Sequence, residues 1–294
     1  MESINKDKII CNIERLPDHC LWMIFEHFSL EQITTLRLIC RRWCCLIDHT
    51  FTKQTSLKLF ASKSDLLRFK QRKIEFSLHG STMFSIEPNE VLVLQAKNID
   101  WSRILCFHFP NIKNLLIEST GNQLIQFDLT KAINKWRKTL KCLTLFGWSE
   151  ISTDKFWYVL NNLSDLESIA FFGLYRNQIP ENMTCFRRLK NFALVHYLHD
   201  VVPVFRQLGP NLKSMLISWI YLSVPQLQKI VAENPSLMTS LEFLRLGYIS
   251  SITDHGADRL KNFRQVLQFF ALNFKNIRQL SIIFADNVSI YCFY

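Results

Sequence analysis

Glycine is scarce in this chain, with 7 in 294 residues. Loops that cradle phosphate through clustered glycines therefore have little material, and no G-x-G-x-x-G, Walker or G-x-S-x-G sequence occurs. Long apolar runs are also missing. The best charge-free candidate, Ser214 to Gln228, is broken by Pro225 and several polar residues, so no membrane span is expected. The N-terminal text MESINKDKIICNIERLP carries charges throughout and has no apolar core of signal-peptide length, which argues against secretion. Without an oxidising compartment the nine cysteines read as reduced, mostly buried thiols, and the expected location is the cytoplasm or nucleus. The sequons at Asn162, Asn182 and Asn287 carry no meaning there.

Catalytic patterns are equally thin. His196-x-x-His199-Asp200 lacks a second ligand cluster, so neither a metal nor any other cofactor is expected. Cys40, Cys44 and Cys45 have no C-x-x-C partner pair and are read as buried thiols. A cryptic hydrolase would need a polar cluster that the sequence does not offer. The chain is read as a non-enzyme.

What is abundant is apolar side chain: 48% of positions are hydrophobic, 20% are charged and 24 are phenylalanine. That composition folds into a sizeable core. The net charge is +10. Residues 1–60 hold 8 Lys/Arg and 7 Asp/Glu, and the rest holds 27 against 18. No dense Lys/Arg block is evident, so the excess reads as a spread, solvated surface.

From Leu16 to Ile47 the text is LPDHCLWMIFEHFSLEQITTLRLICRRWCCLI. Leu21, Ile24, Phe25 and Phe28 recur at steps of three and four, one face of a helix. Pro17 suits the first turn, and Asp18 suits the positive end of the helix dipole. Ser29 with Gln32 marks the start of a second helix carrying Ile33, Leu36, Ile39 and Cys40 inward. Arg41-Arg42-Trp43 and then Leu46-Ile47 continue the pattern.

The order Leu-Pro, Ile-Phe, Phe, Leu, Leu, Ile-Cys-Arg-Arg-Trp, Leu-Ile resembles the F-box family motif. His19 departs from the acidic residue common there, and Phe51 stands near the usual closing tryptophan. The resemblance implies a three-helix F-box over residues 11–54 that docks onto a Skp-type adaptor, and through it onto cullin and RING subunits of a ubiquitin ligase. Adaptor contacts are implied at Leu16, Pro17, Leu21, Ile24 and Phe28, with Leu36, Ile39 and Trp43 supporting the module or sharing in the interface.

Beyond it, L-x-x-L-x-L recurs seven times when Ile, Met and Phe are accepted as equivalents. The units run through Ile112, Leu115, Ile117; Leu140, Leu143, Leu145; Leu166, Ile169, Phe171; Leu189, Phe192, Leu194; Leu212, Met215, Ile217; Leu241, Leu244, Leu246; and Ile277, Leu280, Ile282. Their first members lie 28, 26, 23, 23, 29 and 36 residues apart. Apolar residues two apart predict strands, and Thr130 to Trp136, Asp154 to Leu163 and Pro225 to Glu233 have helical spacing. The chain thus resembles leucine-rich-repeat proteins over residues 55–294: an α/β, right-handed solenoid with a parallel sheet on its concave face and helices outside. Between Thr55 and Leu105 only Ile74-x-Phe76-x-Leu78 and Leu92-x-Leu94 suggest strands. The asparagine or cysteine that normally follows the third leucine is absent, so the turns must find other partners.

Residues alternating with the anchors would line the concave face. They are mostly small or apolar there, which suits a protein target better than a phosphate backbone. Phe146, Trp148, Phe172, Trp219, Arg245 and Tyr248 are the expected target anchors, since aromatic and Arg residues dominate interface energy. The leading expectation is a non-catalytic adaptor that selects a protein for ubiquitination. The alternative is a scaffold outside any ligase whose basic repeats bind an acidic protein or RNA, although nucleic acid is not the expected ligand.

Overall fold

The computed structural model describes residues 13–25, 27–28, 30–60, 67, 91–93, 101–118, 128–147, 154–172, 179–198, 202–220, 224–249, 257–284 and 289–293. The chain divides into two compact units, one ending at Gln54 and one beginning at Thr55.

The first unit holds α1 (Asp18–Phe25), α2 (Leu30–Leu36) and α3 (Arg41–Lys53) after a short 3-10 turn, Ile13–Arg15. Pro17 starts α1 through its carbonyl, which accepts the N–H groups of Cys20 and Leu21. A proline costs nothing at such a position, because its missing N–H would have no helical partner. α3 opens on Cys40, whose sulfur accepts the Trp43 N–H at 3.5 Å. Phe25 meets Trp43 edge to face at 5.3 Å, tying α1 to α3. Arg37, at the end of α2, grips the Asp48 carboxylate of α3 with two nitrogens at 2.5 and 3.0 Å. This bidentate pair holds the guanidinium charged, with its pKa raised chiefly by the Asp48 hydrogen bond.

The second unit alternates strand and helix. Its strands are β1 (Ser56–Phe60), β2 (Val91–Val93), β3 (Asn114–Glu118), β4 (Cys142–Phe146), β5 (Ser168–Phe172), β6 (Asn191–Leu198), β7 (Ser214–Ile220), β8 (Phe243–Ile249), β9 (Gln279–Phe284) and β10 (Ser289–Phe293). Its helices are α4 (Trp101–His108), α5 (Leu129–Lys135), α6 (Asp154–Asn161), α7 (Val202–Gln207), α8 (Val224–Glu233), α9 (Ser236–Ser240) and α10 (Ala257–Asn273), with a 3-10 turn at Thr184–Arg188. The strands form one sheet in the order β10-β9-β8-β7-β6-β5-β4-β3-β1-β2. Every neighbouring pair is parallel except β9 and β10.

All seven sequence repeats place their second and third anchors in β3 to β9. Leu143, Ile169, Phe192 and Met215 are fully buried, and ring contacts show what covers this face. Trp157 of α6 meets Phe171 edge-on at 5.8 Å, and Phe186 of the 3-10 turn lies 5.5 Å from Phe192. The long final repeat step is taken up by α10, the longest helix described. Two strands escape the repeat reading: β1, which uses Leu57 and Leu59 in a segment read as irregular, and β10, which turns back antiparallel. Leu92 lies in β2, whereas Ile74, Phe76, Leu78, Leu94, Ser29 and Ser223 fall outside the described residues.

A backbone ladder stitches the strand entries together. The residue before each strand and the first strand residue both donate their N–H to one carbonyl of the preceding unit. Lys141 and Cys142 bond Lys113, Glu167 and Ser168 bond Lys141, and Lys190 and Asn191 bond Glu167. The same pattern continues through Lys213 and Glu242 to Arg278, with distances of 2.8 to 3.2 Å. One step into the strands, Asn114 donates to Ser56 Oγ and Asn191 to Ser168 Oγ. Two asparagines therefore bridge neighbouring units, at the strand start rather than after the third leucine. Gly209 is needed nearby, since a Cβ there would lie 1.9 Å from the Arg187 carbonyl oxygen.

Candidate functional site

The outer corner of the first unit is built by charge and helix geometry. Arg42 Nη2 donates to the Leu16 carbonyl and, with Nε, to the Asp18 carboxylate, all within 2.5 to 3.0 Å. This clamp fixes the Leu16-Pro17 bend before α1. Pro17 is exposed and Leu16 and Ile24 are half-buried. Phe28 and Ile39 are exposed as well, Ile39 at 56%. Leu36 is half-buried. Leu21 and Trp43 are buried: in this arrangement they fill the interior, so Leu21 offers a partner no area and Trp43 takes the supporting place of its two expected roles.

Two further apolar side chains stand open here, Met23 at 63% and Leu38 at 82%. The helical pattern hides them, because Met23 falls off the Leu21 and Phe25 stripe and Leu38 follows the end of α2. Their misfit to the inward face was the available signal. On the opposite flank of α1, Trp22 stacks on His49 at 5.7 Å with Lys53 Nζ 5.2 Å from its ring.

The F-box domain model matches residues 13–53. This segment is an F-box domain. No curated protein matches the chain. The F-box unit carries four cysteines in its helical region, and their environment corrects the buried-thiol reading: Cys45 is exposed, while Cys20, Cys40 and Cys44 are half-buried. Cys106 and Cys185 do lie buried. Burial raises the Cys185 thiol to about 12 and that of Cys142 to about 11, so neither forms a thiolate at neutral pH.

On the sheet of the second unit, the face opposite the anchors carries two registered rows. One runs Leu116, Thr144, Ala170, Ala193, Leu216, Arg245 and Ser281; the other runs Glu118, Phe146, Phe172, Val195, Ser218 and Gly247. An open apolar strip was expected here. Instead Ala170, Ala193 and Leu216 form a buried cluster against which Phe172 and Val195 pack. Phe146 is only 6% exposed and stacks on Phe172. The cause is height: alanines sit below longer neighbours, and the two rings cover each other. Phe172 and Arg245 remain partly open. Trp148 and the side chains of Trp219 and Tyr248 lie outside the described residues.

Among the described residues no cluster of His, Cys, Asp and Glu could hold a metal ion, and no helix is long and apolar enough to cross a membrane. The side chain of His196, with His199 and Asp200, lies outside the described residues.

Proposed function

We propose that this chain is a non-catalytic, substrate-recognition adaptor of a Skp–cullin–F-box ubiquitin ligase, working in the cytoplasm or nucleus. The observation that carries the reading is the F-box match over residues 13–53. It falls on helices whose clamped Leu16-Pro17 bend and open Phe28 and Ile39 offer apolar area to a Skp-type adaptor. Leu36 lends support at the edge, while Leu21 and Trp43 act by holding the helices together. Cullin and RING subunits, reached through the adaptor, supply the covalent chemistry. The unit from Thr55 onward is read as an irregular leucine-rich-repeat domain that holds the protein target, with Phe172 and Arg245 at its partly open strip.

The test is co-purification of a Skp-type adaptor with the full chain and with the Leu16→Ala, Pro17→Ala double variant. Removing this apolar area should cost about 2 to 4 kcal/mol of binding, or roughly 30-fold to 1000-fold. The melting of the repeat unit should stay where it is, as distant sites add independently. Undiminished co-purification would remove the main support for the ligase reading.

A further inference from the structure

We infer that the rim where strands β3 to β9 begin is a docking surface for an acidic, extended segment of a partner protein. The chain text scatters its positive charge, but the repeats gather it. Each turn leading into a strand brings its residues beside those of the next, because the backbone ladder from Thr55 to Arg278 joins adjacent turns. The turns spanning 109–113, 136–141, 162–167, 187–190, 208–213, 241–242 and 274–278 contain ten Lys/Arg and three Asp/Glu. This surplus of seven is most of the chain's net +10. All ten bases are exposed.

The acids do not neutralise the row. Glu167 lies between Lys141 and Lys190 at 3.1 and 2.8 Å, and Glu242 lies between Lys213 and Arg278 at 2.8 and 3.6 Å. Each carboxylate is thus shared by two cations, so every such triplet keeps one net positive charge. Lys113, Arg137, Lys138, Arg187 and Lys275 have no acidic partner among the described residues, and they are spread over four of the seven turns. Parallel strands repeat at about 4.8 Å, so a segment laid across their ends meets cations at five of the seven turns.

The chemistry of the rim favours carboxylates on a protein over phosphates on a nucleic acid. Single-stranded nucleic acid is held by basic grooves with exposed aromatic platforms. The aromatic residues of these turns, Phe109, Trp136 and Phe274, are all buried, as is Phe186 just before the fourth turn. Within the turns themselves, what remains open is charge without a stacking surface; the exposed rings of Phe107 and Tyr158 stand on the helices before two of them. This inference goes beyond the ligase reading and does not depend on it.

The experiment measures binding of labelled poly-glutamate to the full chain by fluorescence anisotropy, at low and physiological salt. The rim variant is Lys113→Glu, Lys138→Glu and Arg187→Glu. A control with the same charge change carries Lys135→Glu, Lys155→Glu and Lys229→Glu, exposed residues of helices α5, α6 and α8. The parent should bind, with affinity falling as salt rises. The rim variant should lose about tenfold or more, and the control less than about threefold. If melting shows that the rim variant has lost its fold, the Gln versions of the same three positions should still bind several-fold more weakly. No binding by the parent would overturn the inference. So would an equal loss in the control, which would make net charge alone responsible, or tighter binding of poly-uridylate than of poly-glutamate.

Discussion

Phe146 and Phe172 lie face to face on adjacent strands, their ring centroids 4.2 Å apart and their planes 11° from parallel. The contact turns a supposed target anchor into part of the packing. Phe146 is covered whereas Phe172 stays partly open, so their truncations should separate. Phe146→Ala should lower the unfolding free energy by about 3 to 4 kcal/mol, combining a cavity with a lost ring contact. Phe172→Ala should cost about half as much. Urea unfolding of the two variants checks this; equal small losses would mean that the stack contributes nothing to stability.

Arg42 joins the end of the F-box sequence motif to its beginning, 26 residues earlier, by bonding the Leu16 carbonyl. It touches no expected partner surface by necessity, yet it orients the bend that does. Arg42→Met keeps the stem and removes the clamp. Adaptor affinity should fall about 3-fold to 10-fold, in line with one or two exposed charge-assisted bonds. The helix content by circular dichroism should be unchanged. Unchanged affinity would show that the bend is set by Pro17 alone.

The rim acids make stability depend on pH in a definable direction. Hydrogen bonds from Lys190 and Lys141 hold the Glu167 carboxyl below its usual value of 4.5. A carboxylate depressed in the folded state stabilises it fully above the unfolded value, and that contribution fades as pH falls through the folded value. Glu167→Gln should therefore lower stability at neutral pH, by less than about 1 kcal/mol because the pair is screened by solvent. The gap to the parent should close below pH 4.5 as the parent's own carboxylate takes up a proton. Urea midpoints across that range check the sign, and a gap that widens in acid would contradict the pairing.

The parts of this fold written in short-range periodicity were legible before any coordinates. Leu143 with Leu145, or Met215 with Ile217, announce a strand because residues two apart share one face. Helix α6 was visible in Phe156, Trp157 and Leu160 for the corresponding reason at helical spacing. β1 was missed because Leu57 and Leu59 stand alone, without the upstream anchor that marks the other units. The rim was missed for a different reason. Lys113, Lys141 and Lys190 are far apart in the text and become neighbours only when the strands fix a register. Burial of Phe146 was equally hidden, since alternation shows which face a side chain takes and not what already lies on that face.

Asn234 closes the junction between α8 and α9 and is buried. Its side-chain nitrogen donates to the carbonyls of Phe205 and Leu208 at 2.8 and 2.7 Å, both from the preceding unit. Its oxygen accepts from Ser236 Oγ at 2.7 Å. One amide thus caps the end of α7: it satisfies the Leu208 carbonyl and adds a second bond to the Phe205 carbonyl, which also accepts the Leu208 N–H at 3.3 Å. Asn234→Ala would strand the Leu208 carbonyl and leave that of Phe205 with the Leu208 N–H alone, at a cost of about 1 to 3 kcal/mol. Asn234→Asp offers no donor to those carbonyls and places a charge there, so it should be at least as harmful at neutral pH. Thermal melts of the two variants give the magnitude, and hydrogen exchange in α7 and α8 gives the location. Loss confined to these helices would identify the side chain as a local stitch, while an unchanged midpoint in both variants would mean that the carbonyls find other donors.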